Sequence, residues 1–127
     1  LRYMNGVCFI TRDVRGLSRF YATVLGIAVD ANDLHVEILL EGGSLILYDQ
    51  TAAERDMGFD FSEYHGTGLA KISFFVPDVD AEYERLKAPD ILINFMTPPT
   101  TYPGGARSMH FRDPDGNIVC FVRRAGD

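Results

Sequence analysis

Met109-His110-Phe111-Arg112-Asp113-Pro114-Asp115-Gly116-Asn117-Ile118-Val119-Cys120-Phe121 is the stretch that decides the fold. Two β-branched and aromatic runs flank turn chemistry that permits one geometry. Pro114 presets the negative φ of the first central turn position, Asp115 suits the second, and Gly116 can take the left-handed conformation that closes a bulged hairpin. With Pro114, Asp115 and Gly116 as the loop, Asp113 faces Asn117. Counting outward then pairs Arg112 with Ile118, Phe111 with Val119 and His110 with Cys120. Direct cross-strand partners point the same way. Ser108, His110, Cys120 and Val122 therefore share one surface, and Met109, Phe111, Val119 and Phe121 the other. The second is expected to be core. The first mixes polar and apolar groups, as a ligand-facing wall does.

Working outward from the hairpin, the chain repeats itself. Val7-Cys8-Phe9-Ile10-Thr11-Arg12-Asp13-Val14 is a strand-like run ending in an Asp able to cap a helix, and Ile72-Ser73-Phe74-Phe75-Val76-Pro77-Asp78-Val79 repeats it. Val14, Leu17, Phe20, Tyr21, Val24 and Leu25 then recur at helical spacing up to Gly26; Val79, Tyr83 and Leu86 do so up to Pro89. Strands are expected near Ala28 to Asp30, from Leu34 to Glu41 and, after a Gly42-Gly43 turn, from Ser44 to Asp49. In the second half they are expected from Ile91 to Thr97 and in the two hairpin arms. The reading is an α+β chain of strand, helix and three strands performed twice: a first module over about 4–50, a linker over about 51–67 and a second module over about 68–125. Gln50 to Thr67 and Thr97 to Gly105 read as loops, the former rich in acids and aromatics such as Phe61 and Tyr64.

The chain's 127 residues suit one domain with a real core, and its composition is that of a soluble globular protein. A net charge of −6 argues against wrapping nucleic acid, for which Arg107, Arg112, Arg123 and Arg124 are too few to make a basic face. Steering by this acidic balance favours a cationic ligand, although net charge describes no single pocket. No apolar run approaches the roughly 20 residues that span a bilayer, and Leu1 to Arg12 lacks a secretory peptide's regions, so the expected location is the cytoplasm, with no membrane partner. Cys8 and Cys120 sit within predicted strands and read as reduced, buried thiols rather than a disulfide framework.

The repeat, the Arg19-Phe20-Tyr21-Ala22-Thr23-Val24-Leu25-Gly26 helix end and the Asp113-Pro114-Asp115-Gly116-Asn117 hairpin together resemble the vicinal oxygen chelate superfamily of glyoxalases, bleomycin-resistance proteins, fosfomycin-resistance enzymes and extradiol dioxygenases. The resemblance spans nearly the whole chain. It implies two βαβββ modules whose curved mixed sheets surround a cavity, with the helices outside, and commonly a homodimer. Metal-using members place histidine or carboxylate ligands on the first, fourth, fifth and eighth strands. Matched through Asp13, Asp78 and Asp113, those positions are Gly6, Leu47, Lys71 and Cys120 here, with Asp49 further along the fourth strand. Gly6 offers no side chain, a protonated Lys71 cannot ligate, and Cys120 packs as a small hydrophobe. No metal and no other cofactor is expected.

The reading that follows is a metal-free protein that binds a small organic molecule on a wall formed by Cys8, Ile10, Ser73, Phe75, His110 and Cys120, with Lys71 for orientation and Tyr48 and Tyr102 as added aromatic surface. Two alternatives stand beside it. One is a lyase, isomerase or dioxygenase that uses either a shifted metal site around His35, Glu37 and His110 or acid–base catalysis by His110 with Lys71 as electrostatic partner. The other is an interaction or structural module with no ligand.

Overall fold

In the computed structural model, which describes residues 2–64 and 68–127, Asp13 and Asp78 each open a helix as their positions predict. Asp13 accepts from the Gly16 N–H at 2.9 Å to start α1, Val14–Leu25, and Asp78 accepts from the Ala81 N–H at 3.0 Å to start α3, Val79–Leu86. Gly26, at φ 65°, ends α1 in the left-handed conformation. The chain divides into two compact units, Leu1–His65 and Gly66–Asp127.

The first unit holds β1, Gly6–Thr11, then α1, β2, His35–Leu40, β3, Gly43–Asp49, and α2, Gln50–Met57. Its sheet runs β1-β3-β2, with β1 parallel and β2 antiparallel to β3. The helix side carries Phe9, Val36, Ile38, Leu45 and Leu47, against which α1 sets the buried Leu17, Tyr21 and Val24. Each such burial stabilises the unit by about 1.5–3 kcal/mol relative to exposure.

The second unit holds β4, Lys71–Phe75, then α3, β5, Asn94–Thr101, β6, Arg107–Arg112, and β7, Ile118–Arg123. Its sheet order is β4-β7-β6-β5, with β4 parallel to β7 and both remaining contacts antiparallel. The hairpin forms in the register the turn dictates: Arg112 pairs with Ile118, Phe111 with Val119 and His110 with Cys120. Gly116 lies at φ 91°, and the Asp113 carboxylate accepts from the Asp115 and Asn117 N–H groups and the Asn117 amide, each at 2.9 Å. Met109, Phe111, Val119 and Phe121 are buried on the helix side, where Phe111 and Phe121 meet edge to face at 5.3 Å and Phe95 meets Tyr83 of α3 at 5.1 Å.

Three local expectations are corrected. No strand forms at Ala28 to Asp30, so the first unit is βαββ followed by a helix. The Asn32 side chain accepts from the His35 N–H at 2.9 Å and donates to the His35 carbonyl at 2.9 Å, occupying the edge a further strand would need. The start of the expected linker is α2, capped by Asp49 and closed by Gly58 at φ 65°; residues 65–67 of that stretch lie outside the described residues. The third strand of the second unit runs Asn94–Thr101 rather than Ile91 to Thr97. Pro98 and Pro99 fit within it because β5 is an edge strand with register shifts between Phe95 and Thr97 and between Thr97 and Thr100. The loop expected from Thr97 shrinks to the turn in which the Tyr102 N–H donates to the Ala106 carbonyl at 2.9 Å.

Candidate functional site

Because paired residues share a side, the face of the second unit's sheet away from α3 is built in rungs. Lys71, Ile118, Arg112 and Asn94 form the first; Ser73, Cys120, His110 and Thr97 the second; Phe75, Val122, Ser108 and Thr100 the third. Five of the predicted site residues, Lys71, Ser73, Phe75, His110 and Cys120, therefore stand on one surface. Tyr102 lies past the last paired rung, in the β5–β6 turn. Sequence reasoning missed Thr97 and Arg112 as members of the surface. The hairpin count already placed Arg112 on the same side as His110, while Thr97 reaches it only through the bulge in β5.

The middle rung carries the chemistry. The Thr97 hydroxyl and His110 Nδ1 lie 2.8 Å apart, so the imidazole is held by a partner that no sequence pattern announced. Burial, and then the positive charge of Lys71, push the His110 pKa below its ordinary value, so the ring is neutral at pH 7. Cys120 is buried directly beside it, and Ser73 is exposed on the other side of Cys120. The Arg112 guanidinium is spent on backbone, donating to the Gly68 carbonyl at 3.1 Å and the Gly116 carbonyl at 2.7 Å. Arg124 stacks on the ring of Phe75, 4.1 Å from its centroid.

The first unit's sheet has its own face away from α1, with Ile10, Tyr48 and His35 on one rung and Cys8, Ile46 and Glu37 on the next. Cys8, Ile10 and Tyr48 are thus together, as the resemblance requires of that module. The Tyr48 hydroxyl donates to the Asp56 carboxylate, which pushes the phenol pKa up and the carboxyl pKa down, and the His35 ring meets Tyr48 edge to face at 5.2 Å. Of the two thiols expected to be buried, Cys120 is and Cys8 is exposed, because its strand face lies away from α1; the covered part of Cys8 still raises its pKa, so that thiol is not primed for attack at neutral pH. At the sheet edge a cleft of about 440 Å³ lies between Ile27–Asp30 and β2, with Asn32 at its end.

The four positions matched to metal ligands do not fit a divalent ion. Leu47 is fully buried on the helix side with Phe9 and Val36, and Asp49 shares that parity and caps α2, so neither faces outward with Gly6 as expected; the outward residues of β3 are Ile46 and Tyr48. At Gly6 a Cβ would stand 2.1 Å from the Ser44 carbonyl oxygen, which leaves no room for any side chain. Lys71 supplies a like charge and Ile46 no donor atom. Of the shifted set, His35 and Glu37 share one sheet face of the first unit and His110 stands on the second, and among the described residues no three His, Cys, Asp or Glu side chains cluster to hold an ion.

With this geometry in place, comparisons with known proteins are specific about the fold. The pattern of the Glyoxalase/Bleomycin resistance protein/Dioxygenase superfamily matches residues 4–121. Among solved structures, a glyoxalase/bleomycin resistance protein/dioxygenase from Nocardioides is similar, with 24% identity and a TM-score of 0.80, covering 99% of this chain and 85% of that one. A lactoylglutathione lyase from Agrobacterium tumefaciens shows 22% identity and a TM-score of 0.68, covering 94% and 91%. TioX from Micromonospora sp. ML1 shows 20% identity and a TM-score of 0.70, covering 94% and 97%. At these identities the likeness speaks for the fold. No curated protein matches the chain.

Proposed function

This chain belongs to the glyoxalase/bleomycin resistance protein/dioxygenase superfamily, and we propose that within it the chain is a metal-free binder of a small organic molecule, held on the open face of β4, β7, β6 and β5. The observation that carries this reading is the composition of that face. Phe75, Ile118 and Val122 supply apolar area, while Lys71, Ser73, Thr97 and His110 supply a few polar groups that fix orientation. The mismatch of donors at Gly6, Ile46, Lys71 and Cys120 supports the absence of a resident metal. A second reading, an enzyme with His110 as general base, draws on the Thr97 contact, because a neutral imidazole held at Nδ1 leaves Nε2 to work on a ligand.

Elemental analysis of the purified chain, followed by a thermal-shift and amide-shift screen with uncharged aromatic fragments such as indole and 2-naphthol, tests the binding reading. The expected result is no stoichiometric metal, together with fragment-induced shifts at Ser73, His110 and Cys120. A bound divalent ion whose chelation lowers the melting temperature would overturn it. Turnover that is lost in His110→Gln would favour the enzyme instead.

A further inference from the structure

The three rungs of the second unit's open face contain no aspartate or glutamate, although the chain as a whole carries a net charge of −6. The acids of that unit are placed elsewhere. Asp80, Glu82 and Glu84 lie on α3, where they meet Arg107, Arg85 and Lys87, and Asp113 is used up inside the hairpin. Lys71 stands at the end of the first rung with no carboxylate at ion-pair distance among the described residues. Arg112 and Arg124 add positive charge to the same surface, although each guanidinium already has work, one on backbone carbonyls and one on the Phe75 ring.

We propose that the ligand of this face is an organic carboxylate, with one carboxylate oxygen on the Lys71 ammonium and the other on Ser73 and His110. This rests on the binding reading above and names its ligand class. A singly charged group fits better than a phosphate: one unspent ammonium, one hydroxyl and one imidazole N–H match two oxygens, whereas a dianion calls for the guanidinium forks that are already engaged. The Thr97 hydroxyl, 2.8 Å from Nδ1, can donate or accept there and so admits either tautomer. An anion selects the one in which Thr97 donates to Nδ1 and the ring's hydrogen sits on Nε2, from which it is donated to the carboxylate. Ile118 and Phe75, on either side of the middle rung, give the organic part of the ligand its apolar seat.

The test uses three probes of one shape on the whole chain: naphthalene-2-carboxylate, naphthalene-2-carboxamide and 2-naphthylmethylammonium. Binding is read from the amide shifts of Ser73, His110 and Cys120. The carboxylate should bind about tenfold more tightly than the amide, with a preference that shrinks as salt is raised. Lys71→Met should abolish that preference, and Lys71→Arg should retain it. Equal binding of acid and amide, a preference that survives in Lys71→Met, or tightest binding of the ammonium probe would overturn the carboxylate assignment and leave the binding reading standing. If none of the three probes moves those amides, the binding reading falls and this inference falls with it.

Discussion

Replacing Gly6 with alanine should destabilise the first unit far more than an exposed strand substitution normally does. A Cβ built there stands 2.1 Å from the Ser44 carbonyl oxygen, 2.9 Å from its carbonyl carbon and 3.0 Å from its nitrogen. Carbon and oxygen need about 3.3 Å, so β1 and β3 would have to part by roughly 1.2 Å at this rung. Nothing flexible can yield, because every atom met is backbone, and the Ser44 N–H is itself bonded to the Asn5 carbonyl at 3.0 Å. Overpacking of this kind costs about 1–3 kcal/mol, and loosening the Ser44 bond adds about 1 kcal/mol, so the expected loss is roughly 2–4 kcal/mol. With an unfolding entropy of about 2.1 cal/mol/K per residue, 127 residues melting together would drop in Tm by roughly 7–15 °C. Urea denaturation followed by circular dichroism, with a calorimetric melt on the same sample, measures both. A Gly6→Ala chain within about 0.5 kcal/mol of the parent would refute the steric account. It would also reopen the first-strand metal position, since the argument that no ligand side chain fits there rests on the same contact.

Two further predictions concern the second unit. Asp113→Ala removes a buried acceptor of three hydrogen bonds at the hairpin turn and should cost about 2–3 kcal/mol in urea denaturation, with weaker cross-strand proton contacts between His110 and Cys120; a cost below about 1 kcal/mol would show that Pro114 and Gly116 hold the register alone. His110 should make the chain acid-sensitive. Its folded pKa lies below the unfolded value of about 6.5, so as pH falls the unfolded state takes up the proton first. The stability contribution is therefore complete above about pH 6.5 and is lost as pH falls through the folded value. Melting curves from pH 7 to 5 should decline less steeply for His110→Gln than for the parent, and superimposable slopes would refute the assignment.

What could be read from the sequence was what local chemistry fixes. Asp113, Pro114 and Gly116 determine a turn, the turn determines a register, and the register placed Met109, Phe111, Val119 and Phe121 in the core and His110 beside Cys120, as found. The helix starts at Asp13 and Asp78 were legible for the same reason. α2 was missed because only Ala52 and Ala53 are buried along it, too weak an apolar stripe to show periodicity, although Asp49 and Gly58 bracket it as caps. Thr97 was missed because the β5 bulge, which turns it toward His110, depends on tertiary pairing.

The side to which Leu47 points shows how much could still have been recovered. β3 reads Ser44-Leu45-Ile46-Leu47-Tyr48-Asp49, with apolar residues at both parities, so the strand by itself does not say which face is core. Its partner does, since His35, Glu37 and Leu39 alternate with the buried Val36 and Ile38. Carrying that parity across the Gly42-Gly43 turn, by which Leu40 meets Gly43, puts Leu45 and Leu47 inside and Ile46 and Tyr48 outside. The charge of the open face allows no such recovery. A net charge of −6 points to a cationic ligand, yet acids gathered on α3 and cations left on the strands give the second unit a face of opposite sign. Composition sums over surfaces that folding separates, and a ligand meets one surface.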